Sequence, residues 1–410
     1  MQAIFTIVAK NYMASAITLG KSVKKFCEDT DFFIVLADEW DADGQEEKAE
    51  GRIVLAKELE IPHYVQMSFM YDVVEFATAV KPFAILYFLE KLSYDKVVYL
   101  DPDTWVMGSI DLIWKCLEKE NFVLTPHVVE LDVEHFNNKE SHILARGVFN
   151  LGFLGIRRST ETLKFLTWWA KRLETECIRS SDLFVDQKWI DYLPVFFDNY
   201  EVIRDKEYNI ADWNLHERKL DFINDRFCVL DGNRGYTPIC FFHFSGIKQQ
   251  NPQEYLNIIR YQGSPKEKEV LIDLITQYEQ QLVDSDYEYW SCCRYQYNYL
   301  ENGQAILMLQ RRLFRMFYLK DMYVNDDPFK ATSQFFQFLK RNRLLTNKTV
   351  VKKDDSSNKK EMSNGEKGAR KLIKVFYRIF VRLFGARKFE QFLNKLNKAS
   401  ALEQQINVWK

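Results

Sequence analysis

The 410-residue chain has no run near the roughly 18 uninterrupted apolar residues of a membrane-spanning helix, so any membrane contact is expected to be peripheral. It has few cysteines. Cys27, Cys116, Cys177, Cys228, Cys240, Cys292 and Cys293 are scattered without the paired spacing of a metal site. Their odd number, with no N-terminal signal peptide, fits free thiols in a reducing cytoplasm. Residues 5 to 22 also lack a Gly-rich, basic phosphate loop, which counts against a nucleotidyltransferase. Excess positive charge is missing from most of the chain. Residues 366 to 410 hold eleven Lys or Arg against three acids, a net of +8, which leaves residues 1 to 365 at −10 within a total of −2. An acidic body with a basic tail excludes a nucleic-acid binder and suits an enzyme with a separate attachment element.

Hydrophobic residues at 47% and aromatics at 15% instead describe a folded protein long enough for two domains. Residues 3 to 8 form a near-continuous apolar run of the buried parallel-strand kind, followed by a helix with Ala16, Leu19, Val23 and Phe26 on one face and a second buried strand over 32 to 36. A helix over about 83 to 92 leads into a strand ending at Asp101, and further strands are predicted over 122 to 124, 152 to 156 and 239 to 244. Alternating strands and helices predict an α/β, Rossmann-like fold with a mostly parallel sheet, whose ligands bind at the carboxyl ends of the strands. This region is taken as residues 1 to 252. A helical subdomain is expected over 253 to 345 and a polar, flexible linker over 346 to 368. A basic amphipathic tail follows over 369 to 410. Within the tail, Leu372, Val375, Phe376, Ile379, Phe380, Leu383 and Phe384 share an arc opposite Arg370, Lys371, Lys374, Arg378 and Arg382. Residues 370 to 398 are therefore expected to meet an anionic membrane surface, with docking on a partner protein as the alternative. The protein is expected to lie on the cytoplasmic face of the cell membrane.

The candidate chemistry gathers at strand ends. Asp101-Pro102-Asp103 closes an apolar strand with two hard oxygen ligands one residue apart, which suits a divalent cation on a diphosphate, although Asp and Pro are also ordinary turn residues. Asn11 and Tyr12 follow the first strand, where a ring can stack on a base and an amide can bond base or ribose. His243 ends a late strand, with Gly246 and Lys248 behind it to offer a flexible turn and a cation for phosphate.

These segments resemble, in order, the motifs of retaining GT-A glycosyltransferases of the glycogenin and lipopolysaccharide galactosyltransferase type, family 8-like. The similarity spans about residues 1 to 250 and is nearest to bacterial surface-polysaccharide glycosyltransferase domains. It implies a GT-A fold with the appended helical subdomain and tail helices, a nucleotide-sugar donor with UDP as the expected carrier, and a glycan or lipid-linked glycan acceptor. It also implies Mn2+ or Mg2+ at Asp101, Asp103 and His243. Donor contacts are implied for Asn11, Tyr12, Lys81, Asn150, Gly152, Gly246 and Lys248, and roles at the anomeric centre for Asp186 and Gln187. Asn214, His216 and Glu217 are candidates for the acceptor or sugar pocket. Ala9 stands where the family often has an acid, and Leu151 where it has Ala or Ser. A catalytically silent nucleotide-sugar-binding scaffold and a sugar nucleotidyltransferase are the competing readings.

Overall fold

In the computed structural model, described residues are 1–40, 51–131, 138–180, 182–232, 234–247, 251–259, 261–345 and 388. The expected linker, the tail apart from Lys388, and the candidate Lys248 lie outside them. Contacts divide the chain into two units, Met1–Met67 with Val73–Tyr297, and Ser68–Asp72 with Asn298–Lys410.

The first unit is built on a seven-stranded sheet made of β1 (Gln2–Val8), β2 (Asp31–Leu36), β3 (Arg52–Leu55), β4 (Lys96–Leu100), β6 (Phe122–Leu124), β7 (Phe153–Arg157) and β8 (Tyr200–Val202), in the order β3-β2-β1-β4-β7-β6-β8. The pairs β2/β3, β1/β2, β1/β4 and β6/β8 are parallel, while β7 runs antiparallel to both its neighbours. This is the expected α/β arrangement with one reversed strand. Chain order turns back between β1 and β4, so the crevice beyond their carboxyl ends is the place where an open α/β sheet binds ligands.

Alternation along the strands sends side chains to two faces. On one, Ile4 and Val98 pack with Leu19 and Val23 of the helix Met13–Phe26. On the other, Phe5 and Phe33 each lie 4.9 Å from Phe88, and Phe5 lies 5.2 Å from Tyr99. Phe88 belongs to a π-helical turn, Tyr87–Lys91, that ends the helix Val73–Leu86. That helix starts ten residues before the expected 83 and runs through Pro82. The lost bond to the Thr78 carbonyl is tolerated in a segment where Ala79, Val80, Lys81, Phe83 and Ala84 are all buried.

Smaller sheets complete this unit. β5 (Thr104–Val106) pairs antiparallel with β12 (Phe241–His243), and β9 (Leu220–Ile223), β10 (Arg226–Asp231) and β11 (Gly235–Pro238) form a meander. The β9/β10 turn is Asn224-Asp225, both at positive φ of 50° and 59°. The helix Pro265–Val283 begins in a capping box, Ser264 with Glu267, and belongs to this first unit with Pro252–Ile259 and Tyr287–Cys292. All seven cysteines are free thiols.

In the second unit, the helices Met308–Tyr318 and Gln334–Arg341 close around Phe69, which meets Phe314, Phe329 and Phe335 at 5.1, 5.0 and 5.7 Å. The buried Arg311 guanidinium donates to the carbonyls of Phe69 at 2.7 Å and Tyr71 at 2.6 Å.

Candidate active site

Asp101 leaves the end of β4 as its N–H donates to Gly152 O at 2.8 Å, and Asp103 precedes β5. Because His243 is registered opposite Thr104, the β5/β12 ribbon brings it to the acidic pair. Its Nε2 lies 3.1 Å from Asp103 Oδ1 and 3.6 Å from Asp101 Oδ2. Burial works against charge on this imidazole, but Asp103 and Asp101 outweigh it and hold the group above its ordinary range. The residues on either side of His243 anchor the strand end: Phe242 and Phe244 pack with Leu274 and Tyr278, and the Phe244 and Tyr278 rings stack at 3.8 Å. Two carboxylates and one imidazole converging on a point offer the hard oxygen and borderline nitrogen donors that Mn2+ or Mg2+ accepts. A second acidic group among the described residues, Asp205, Glu207 and Asp231, is bridged by Arg234 at 2.7, 3.1 and 2.6 Å.

The other motifs reach the same place through hydrogen bonds. Tyr99 OH, driven up in pKa first by its burial and then by Asp101, stays protonated and donates to Asp101 Oδ1 at 2.5 Å. Lys81, 1% exposed, sits 4.1 Å above the Tyr99 ring, donates to Leu151 O at 2.9 Å and pairs with Asp186 Oδ2 at 2.5 Å. Burial raises the Asp186 carboxyl, with Lys81 opposing that shift. Gln187 begins the short helix Gln187–Ile190; its Oε1 accepts from Leu151 N at 3.0 Å and its Nε2 donates to Arg146 O at 3.2 Å. Asn150 Oδ1 accepts from Gly152 N at 3.1 Å.

Asn11 and Tyr12 lie in the turn Lys10–Tyr12 directly after β1, Tyr12 being 43% exposed and Asn11 Oδ1 buried with no hydrogen-bond partner among the described residues. Gly246 holds φ +73° in the turn after His243, a conformation that favours glycine, with open space where a Cβ would stand.

The three acceptor-pocket candidates separate. His216 is exposed. Asn214 is 0% exposed and engaged internally, its Nδ2 donating to His127 O and Asn209 O at 3.1 and 3.0 Å and its Oδ1 accepting from Ala211 N at 2.9 Å. Glu217 is buried and accepts from the N–H groups of Val129 and Glu130 while pairing with Arg218.

Four residues of this neighbourhood were not among the sequence candidates. Tyr99 carried a readable signal, a polar-tipped ring two residues before Asp101 on the same strand face. Trp213, whose ring centroid lies 5.1 Å from that of His243 and 5.5 Å from that of His127, was not singled out, nor were His127 and Asn209.

No family model matches the chain. It is similar to YfnF of Bacillus subtilis (strain 168), an uncharacterized protein, at 24% identity over 254 residues, 60% of this chain and 82% of that one. Solved structures to which it is similar include two glycosyltransferases. One is the galactosyltransferase LgtC, solved in complex with donor and acceptor sugar analogs (15% identity, 69% of this chain and 96% of that chain, TM-score 0.42). Another is the glycosyltransferase GlyE of Streptococcus pneumoniae TIGR4 (15% identity, 71% and 65%, TM-score 0.39).

Proposed function

We propose that this chain is a metal-dependent glycosyltransferase that moves a sugar from a nucleoside diphosphate carrier, UDP by preference, to a glycan or lipid-linked glycan acceptor in surface-polysaccharide synthesis. The observation that carries this reading is the meeting of Asp101, Asp103 and His243 beyond the β1/β4 switch point, with Asn11 and Tyr12 at the same end of the sheet. Asp101, Asp103 and His243 would hold Mn2+ or Mg2+, which when bound offsets negative charge on the departing diphosphate. Tyr12 stacks on the base and Asn11 offers its unpaired amide oxygen to base or ribose. Lys248 and the Gly246 turn receive phosphate. Asn150 and Gly152 border the sugar.

Asp186 is kept in place by Lys81, and Gln187 by its two backbone bonds, so both are oriented before a donor arrives. In this reading they flank the anomeric carbon, support positive charge there, and the acceptor enters from the leaving-group face, which retains configuration. His216 faces the acceptor, with Asn214 and Glu217 shaping the wall behind it. Residues 1 to 252 form the catalytic region and 253 to 345 a helical subdomain, the first helices of which, as far as Cys292, pack within the first unit. The tail, joined by a linker over 346 to 368, holds the enzyme to the inner face of the membrane. A net charge of −10 outside the tail region supports a sugar nucleotide and not a nucleic acid as substrate.

A donor screen tests the reading: purified protein with Mn2+ is offered UDP-, GDP- and TDP-sugars, and release of free sugar and its anomeric form are followed by NMR. Release of the sugar from one donor with retained configuration is the expected result. Binding without turnover would favour the scaffold, and no binding and no turnover across the panel would sink the enzyme reading.

A further inference from the structure

Beside Asn150 lies a buried imidazole that the donor reading leaves without a role. His127, three residues beyond β6 and 7% exposed, places Nδ1 3.2 Å from Val148 O and Nε2 3.4 Å from Asn150 Nδ2. Asn150 decides which nitrogen holds the proton. Its Oδ1 accepts two hydrogen bonds, from Gly152 N at 3.1 Å and from Asn209 Nδ2 at 3.0 Å. The atom turned to His127 is therefore the amide nitrogen, a donor, so Nε2 must offer its lone pair. The proton then sits on Nδ1, facing a carbonyl that can only accept. Both ends of the ring agree on one neutral tautomer.

The far side of the network is equally fixed. Asn209 adopts a left-handed φ of 50°, donates also to Thr125 Oγ1 at 2.8 Å, and accepts at its backbone oxygen from Asn214 Nδ2 at 3.0 Å. Its side-chain oxygen is buried with no hydrogen-bond partner among the described residues, a sign that a polar ligand group belongs beside this network. A residue held in that backbone region, fully buried, is the kind of local strain that persists at binding sites.

We propose that His127 is a positioning residue for the donor sugar: as the neutral Nδ1–H tautomer it locks the Asn150 carboxamide in one flip and so presents the remaining N–H of that amide to a sugar hydroxyl. The proposal rests on the donor reading above. It gives Asn150 its orientation from behind, through a side chain that does not itself touch the substrate. Gly152 N and Asn209 Nδ2 hold the oxygen end of this amide, and His127 holds its nitrogen end.

Two measurements test it. In full-length protein labelled with 15N-histidine, long-range 1H–15N spectra at pH 7, assigned with His127→Gln, are expected to show His127 neutral and protonated at Nδ1. An Nε2–H tautomer or an imidazolium overturns the proposal. Calorimetry with Mn2+ then compares UDP with UDP-glucose and UDP-galactose. His127→Ala is expected to weaken the bound UDP-hexose about tenfold and UDP less than about twofold, the size of one lost hydrogen bond. His127→Gln, whose carbonyl can accept from Asn150, is expected to restore most of the loss, and it serves as the comparison if the alanine variant does not fold. Equal effects on UDP and UDP-hexose, or none, overturn the proposal. Wild-type protein that binds neither UDP nor either UDP-hexose contradicts the donor reading instead, while the tautomer measurement still judges His127.

Discussion

Gly152 and His243 are in such close contact that a Cβ built on the glycine would lie 2.4 Å from the imidazole Cε1 and 2.5 Å from Nδ1. The glycine is thus required by a proposed metal ligand on a different sheet, not only by a sugar. Gly152→Ala is expected to push the His243 ring off the acidic pair and weaken Mn2+ binding by about 10- to 100-fold, as lost ligand support commonly does. Mn2+ titration followed by calorimetry checks this, and unchanged affinity in a folded variant would count against His243 as a ligand.

Lys81 and Asp186 form a pair at 2.5 Å with side chains 1% and 2% exposed. Removing one partner leaves a buried charge alone, so Lys81→Met and Asp186→Asn should each lower unfolding free energy by about 3–5 kcal/mol. The double variant should lose less than the two single losses added together. Urea unfolding of the three variants measures this; additive losses would mean the pair is not coupled.

Legibility from sequence differed with the kind of position. Asp101, Asp103 and His243 could be read because each ends an apolar strand, and strand ends converge by the rules of α/β sheets. Gly152 was readable as part of a motif, but its contact with His243 comes from β7 and β12 meeting in space, which no spacing in the chain records. Asn214 and Glu217 lie in an irregular segment, where no period tells inward from outward, and both turned inward. The burial of Lys81 could not be read, because the helix Val73–Leu86 that carries it begins ten residues before the expected 83. The β9/β10 hairpin did carry a signal in Asn224-Asp225, residue types that tolerate the positive φ such a turn needs.

Asp38, 1% exposed and two residues beyond β2, gives the fold a pH dependence. Its carboxylate accepts from the N–H groups of Glu39, Gln296 and Lys10 at 2.9, 3.0 and 3.3 Å, yet burial dominates and pushes it from 3.8 up to about 6. The folded state therefore keeps this proton longer than the unfolded chain does. Its stabilising effect is complete below about pH 4 and lost as pH rises through about 6, a change of up to about 3 kcal/mol. Denaturant unfolding between pH 4 and 7 should show that slope reduced in Asp38→Asn; an identical slope would assign it to other groups.

Deleting residues 366 to 410 removes a net charge of +8 together with the proposed apolar face. The shortened protein should no longer sediment with vesicles of anionic lipid, and donor turnover in solution should stay within about twofold of the full chain. Equal sedimentation of both proteins would direct the tail to a protein partner.

The central claim is that Asp101, Asp103 and His243 assist departure of a nucleoside diphosphate from a sugar. It is tested most directly by turnover of the UDP-sugar that the donor screen selects, measured with and without Mn2+ for wild type and Asp103→Ala. We expect wild-type turnover to vanish on chelation, to return with Mn2+, and to fall at least about 100-fold in Asp103→Ala while Tm holds steady. Full activity in Asp103→Ala, or wild-type turnover indifferent to chelation, would contradict it.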